Sequence, residues 1–309
     1  MTYVGGVLEG FVTISFVIAI GFLLAHTGVL DLPAQRVLAD VSFLVGSPAL
    51  LLTVLAKADV RALMSEQLLA TIAGVVVPVA IYSTVAITRW HRPLGQLVIG
   101  NLSSAYVNAG NLGLPIAAYV LGDAALVAPI LLLQMLVLQP LALTILDHDR
   151  RGGRLHLWSI AKSPLTNPMT IGSLIGVALS LTGTTLPRSV ADPIALVGGL
   201  AVPAMLLGYG VALRLGPRFG GGAPAEVALT SMLKSFVQPL VAYAVARYGL
   251  GITGHALLAV TVTSALPTAQ NIFTHATRYG RAEPLARDTI LVTTLTCAPV
   301  IVVIAAVLG

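Results

Sequence analysis

Charged residues in this sequence come in short clusters, and the stretches between the clusters are long enough to cross a bilayer. A helix rises about 1.5 Å per residue, so roughly 20 apolar residues span the hydrocarbon layer. Ten such stretches can be read, at approximately 6–26, 36–56, 67–89, 96–121, 124–146, 164–183, 190–213, 225–247, 254–278 and 284–308. With their short connections they use nearly all of the 309 residues. Only 9% of the chain is charged, against roughly 25% in a soluble domain, and mean hydropathy is +0.94. The expected fold class is therefore an all-α integral membrane protein. The first segment lacks a basic leader, and its apolar run is too long for a signal peptide, so it reads as a span. The one cysteine, Cys297, excludes a disulfide framework.

The two halves of the sequence resemble each other. Pro48 in SPALLL answers Pro203 in VPAMLL, and Pro78 in PVAIY answers Pro239 in PLVAY. Leu114-Pro115 matches Leu266-Pro267, and Gln139-Pro140 matches Ala298-Pro299, all in the same order. This predicts a duplication: residues 1–147 and 164–309 as two five-helix repeats, joined by a basic connection over 148–163. Five is odd, so the second copy enters the membrane from the opposite side. That is an inverted-topology repeat, typical of secondary transporters. Charge tests the orientation. With the N-terminus outside, twelve Lys and Arg residues fall in cytoplasmic connections and four (Lys57, Arg61, Arg188, Arg247) outside, leaving only Lys234 within a span. The positive-inside rule then places both termini outside the cytoplasmic (inner) membrane. It also accounts for the basic pI of 9.6 without nucleic acid as a partner.

Segments four and nine are the unusual ones. NLSSAYVNAGNLGLPIAAYVLG, from Asn101 to Gly122, carries Asn108, Asn111, Gly113 and Pro115 at membrane depth. TVTSALPTAQNIFTHATRYG carries Pro267, Thr268, Gln270 and Asn271. A proline lacks an N–H and crowds the carbonyl four residues back, and in hydrocarbon a backbone so opened needs protein or a wet cavity to satisfy it. Two broken helices crossing at the midplane would aim half-helix N-termini, starting at Ile116 and Thr268, at one point. Such ends attract anions. The expected substrate site thus comprises Asn108, Asn111, Gly113, Pro115, Ile116, Pro267, Thr268, Gln270 and Asn271, with amides at Ile116, Ala117, Thr268 and Ala269 as carboxylate donors. Kinked helices glued by their amides would look the same in sequence.

NAGNLGLP followed by ALPTAQNIFTHATRYG resembles the auxin efflux carrier family, which includes plant auxin exporters and bacterial malonate-type carriers. The resemblance implies ten helices as five plus five, with helices four and nine broken and crossed. It implies a scaffold of helices 1, 2, 6 and 7 and a transport core of helices 3–5 and 8–10, with the substrate carried between them by an elevator-like motion. It places the family's asparagine at Asn111. Plant members carry an acidic and basic pair near the crossing; segment three here has no convincing aspartate and segment five no lysine, leaving Gln134 and Gln139 as its polar residues.

Three further residues are candidates for coupling or charge balance. Lys234 lies well inside segment eight, where an ionisable side chain is a functional candidate, unless it snorkels to the interface. Gln134 and Asp288 join it; Asp288 is expected to answer Arg287 or Arg281. Gly220–Gly222 reads as a flexible loop. No HExxH, CxxC or Walker loop occurs, so neither a metal nor ATP has a residue basis. The expected activity is secondary or facilitative transport of mono- or dicarboxylates. A sodium-coupled bile-acid-type symporter is the alternative within the same architecture, and an intramembrane enzyme the alternative outside it. No cofactor is expected; proton or sodium coupling stays open. Besides the carboxylate, the expected partners are the lipid bilayer and a second copy docked through the scaffold helices.

Overall fold

A computed structural model of the chain describes residues 3–57, 66–151, 168–216 and 220–309. Most of the 148–163 connection lies outside the described residues, as do Arg61, Arg154, Lys162 and Arg218. What is described is helical, with no strand; the one β-type contact is an isolated bridge between Val107 and Thr268. In chain order the helices are α1 (Tyr3–His26), α2 (Leu32–Leu55), α3 (Glu66–Thr88), α4 (Leu94–Ala105), α5 (Leu114–Tyr119), α6 (Ala124–Arg150), α7 (Pro168–Thr182) and α8 (Arg188–Leu215). They continue with α9 (224–249), α10 (Gly254–Ser264), α11 (Asn271–Tyr279) and α12 (Glu283–Leu308). Among the described residues, five of these (α2, α3, α6, α8 and α12) are long and apolar enough to cross a membrane, and this is a multi-pass membrane protein.

The prolines have left a local signature. A π-helical turn ends one residue before Ser47-Pro48, Leu114-Pro115, Gln139-Pro140 and Gln238-Pro239 alike. The proline ring collides with the carbonyl four residues back, and widening the preceding turn moves that carbonyl aside. The amide of the residue before the proline then bonds five back, as in Ser47 N–H to Ser42 O and Gln238 N–H to Leu233 O. Pro78 and Pro299 stay within regular helix.

The helices form two compact units. The first takes α1, α2, the described part of 110–128, α7 and α8; the second takes α3, α4 through Ala109, the chain from Pro129 to Arg151, and α9 to α12. In the first unit, α1 lies against α8 with glycines at the contact. A Cβ at Gly21 would meet the Leu207 carbonyl, and one at Gly210 the Ile18 carbonyl. Both obstacles are backbone and cannot rotate away. Gly21→Val is expected to force the two helices apart and to cost about 1–3 kcal/mol of overpacking. Thermal unfolding in detergent would read this as a lowered midpoint, and an unchanged midpoint would mean that α1 is not tightly packed there.

The second unit is laced by polar contacts at helix ends. Glu226, in the first turn of α9, accepts from Tyr82 Oη at 2.6 Å and from Arg92 Nη2 at 2.6 Å. Tyr279 Oη donates to Asp147 at 2.9 Å and Arg281 Nε to Asp149 at 2.8 Å. Gly220–Gly222 is not the loose loop expected from sequence. The N–H groups of Gly220 and Gly222 donate to the buried Asp288 carboxylate at 3.2 and 3.0 Å, and Arg287 bonds both that carboxylate and the Gly220 carbonyl. Gly220 and Gly221 have φ of 119° and 110°, which only glycine adopts without strain, so this sequence can fold its backbone around the carboxylate.

Candidate functional site

Segment four opens at residues 106–108, between α4 and the π turn Ala109–Gly113. Segment nine opens at residues 265–270, between α10 and α11. The second opening contains its proline, Pro267, whereas the first lies seven to nine residues before Pro115. Pro115 is at the start of α5, where a missing N–H costs nothing, and a π turn absorbs its ring. The helix after Pro267 begins at Asn271 rather than at Thr268.

Within the second unit, the two openings pair. Val107 and Thr268 form an antiparallel bridge, with Asn108 N–H donating to Pro267 O at 2.7 Å and Ala269 N–H to Tyr106 O at 3.1 Å. An α-helix ends with unsatisfied carbonyls, and in hydrocarbon these need partners from the protein. Here each has one. The Ser103 carbonyl accepts from Thr268 Oγ1 at 2.6 Å, Ala105 from Gln238 Nε2 at 3.1 Å, and Val107 from Gln134 Nε2 at 2.9 Å. On the other side, Ser264 O accepts from Lys234 Nζ at 3.0 Å. Thr268 N–H donates to Thr293 Oγ1 at 3.1 Å.

Several expected roles change accordingly. Thr268 and Ala269 cannot offer their amides to an anion, because Thr293 and Tyr106 already take them. Lys234 does not snorkel: it is fully buried, and its Nζ donates to the helix-end carbonyl of Ser264. Gln134 is likewise spent on the break, and Asp288 pairs with Arg287 at 2.9 Å, away from the crossing. Gln134 and Lys234 both lie in π turns opened by a following proline. Asn108 is buried in the second unit, at the bridge. Asn111, Gly113, Pro115 and Ile116 belong to the first unit, whereas Pro267, Thr268, Gln270 and Asn271 belong to the second.

One residue that sequence reading passed over, Gln238, completes the picture. Gln238 sits four positions after Lys234, on the same face of α9, so an intramembrane lysine with an amide one turn on was the available signal. Just past the crossing, Asn271 and His275 are also one turn apart on α11. Asn271 Oδ1 and His275 Nε2 are both buried without a hydrogen-bond partner among the described residues. Every neighbouring backbone group named above is satisfied, so this face of α11 keeps hydrogen-bonding capacity to spend on a ligand. The unpartnered Asn271 atom is its amide oxygen, which only accepts, while its nitrogen serves the Tyr106 hydroxyl; His275 Nε2, when it carries the ring proton, is a donor that suits a carboxylate. By contrast, a cavity of about 550 Å³ between α9, α10 and α12 is walled by Phe236, Leu240, Val303 and Val307. It suits hydrocarbon better than an anion.

Residues 7–157 and again 153–305 match the family model described as "Membrane transport protein". A protein of Rhizobium meliloti named "Putative malonate transporter" is 23% identical over 254 residues, covering 80% of this chain and 79% of the relative. A protein of Methanothermobacter thermautotrophicus named "Uncharacterized transporter" is 27% identical over 270 residues, covering 85% and 86%.

Proposed function

The chain belongs to the membrane transport protein family, the auxin efflux carriers, and is a transporter; from that premise we propose that it carries small mono- or dicarboxylates across the cytoplasmic membrane. The observation that carries the substrate class is the α11 face, where His275 Nε2, a donor when it carries the ring proton, is buried without a hydrogen-bond partner among the described residues just past the crossing. The resemblance to a protein named for malonate makes malonate the first substrate to try. Asn108, Gln270 and the backbone at Pro267 frame the same place in the second unit.

The proposal includes the architecture. Ten spans arranged as two inverted five-helix repeats, with both termini outside, account for the twofold family match and for the charge asymmetry. The grouping of helices into two units supports an elevator-like cycle in which the second unit carries the substrate. A reporter fused after Gly309 is expected outside and one inserted near Gly152 in the cytoplasm; both on one side would rule out this topology.

The substrate reading is tested by malonate binding to the purified protein. A hydrogen bond to a charged group is worth roughly 1.5–3 kcal/mol, so His275→Ala is expected to weaken binding about ten- to a hundredfold at matched thermal stability. Unchanged affinity would move the substrate away from α11.

A further inference from the structure

We propose that Lys234 is the proton-binding group of this carrier, so that a carboxylate and a proton are taken up together; this rests on the carboxylate reading above. Lys234 is fully buried in the second unit, and among the described residues no carboxylate pairs with it. Cys297, reaching it from α12, is the titratable group near enough to act on it. The other ionisable groups on the elements around it are engaged or distant. On α9 itself Glu226 is held by Arg92 and by Tyr82 of α3, and on α12 Asp288 is held by Arg287. Tyr106, after α4, donates to Gln139, and His255 is exposed at the opposite end of α10 from Ser264.

An ammonium buried without a counter-charge costs several kcal/mol even after relaxation. A carboxylate arriving in the same unit supplies that counter-charge through a medium of low dielectric, where charges act over longer distances than in water. Anion binding and the charged form of Lys234 therefore favour each other. The geometry lets the proton come and go at small structural cost. Nζ donates to Ser264 O at 3.0 Å, and a neutral amine still has N–H bonds with which to do so. The capped helix end survives in both states. In the balance, a neutral amine plus one proton plus one carboxylate gives an ammonium and a carboxylate in the same unit; on the far side the proton and the carboxylate leave and the neutral amine is restored. Lys234 need not touch the substrate; it acts through the field at the crossing as a positioning charge.

The test is calorimetry of malonate binding to the full chain in detergent, in two buffers of different ionisation enthalpy, at a pH where malonate is fully ionised. The expected result is an uptake of up to one proton per malonate, and an affinity that falls by up to about tenfold per pH unit as pH rises. Lys234→Arg keeps the charge but cannot release its proton, so it should bind malonate with no proton uptake. Lys234→Gln keeps a donor for Ser264 without the charge and should lose both affinity and uptake. Wild-type binding without proton uptake overturns the proposal while leaving the carboxylate reading standing. Uptake that persists in either variant places the proton elsewhere and also overturns it. Absence of malonate binding to the wild type sinks the carboxylate reading, and this proposal with it. If Lys234→Arg fails to fold, the wild-type proton count and the glutamine variant still decide.

Discussion

Glu226→Ala is expected to cost the second unit about 3 kcal/mol, towards the low end of the roughly 3–5 kcal/mol found when one member of a buried ion pair is removed. The low end applies because the Arg92 side chain keeps 30% exposure, while that of Glu226 keeps 6%. The loss is large all the same, since two groups are stranded together. Arg92 loses its carboxylate and Tyr82, which has no exposed surface, loses the acceptor for its hydroxyl. A buried polar group left unsatisfied costs roughly 1–3 kcal/mol by itself. Tyr82→Phe removes only one hydrogen bond and should cost about 1 kcal/mol. Thermal unfolding in detergent compares the two variants. Equal midpoints would show that the pair is decoration on a unit held by its apolar core.

The double substitution Gln238→Leu with Thr268→Val should have the largest effect on transport. Both replacements keep approximate volume and remove the donors to the Ala105 and Ser103 carbonyls, at the open end of α4. Each orphaned acceptor costs roughly 1–3 kcal/mol, and in hydrocarbon no water is at hand to take the donor's place. The end of α4 is then expected to rearrange, and the Val107–Thr268 bridge with it. Malonate uptake into proteoliposomes should fall to background, while the amount of folded protein falls less. Wild-type uptake by the double variant would mean that the crossing tolerates open carbonyls, and that its donors do not maintain the site.

Much of this protein is legible in one dimension because its solvent is a bilayer. A lipid interior accepts apolar side chains and self-bonded backbone, so long uncharged runs have few alternatives to helix. That is why the all-helical class and the family could be read from residues alone, and why segments four and nine stood out as the places where helix fails. The sequence also marked Lys234, since an ionisable residue at that depth is conspicuous whatever surrounds it.

How each proline's strain is relieved needed the tertiary structure. Pro115, Pro140 and Pro239 look like Pro267 in sequence, yet the first three follow π turns within helix and the last sits in a six-residue opening. An opening in hydrocarbon survives only where donors from elsewhere reach its carbonyls. Those donors are far away in the chain: Thr268 stands 165 positions from Ser103, and Gln238 stands 133 from Ala105. Local composition carries no record of such partners. The same holds for Glu226, an ordinary first-turn acid until Tyr82 and Arg92 close on it from 144 and 134 positions away. Residue type thus decided where the backbone could open, and the fold decided which groups would close it and which atoms, Asn271 Oδ1 and His275 Nε2 among the described residues, would stay without a partner.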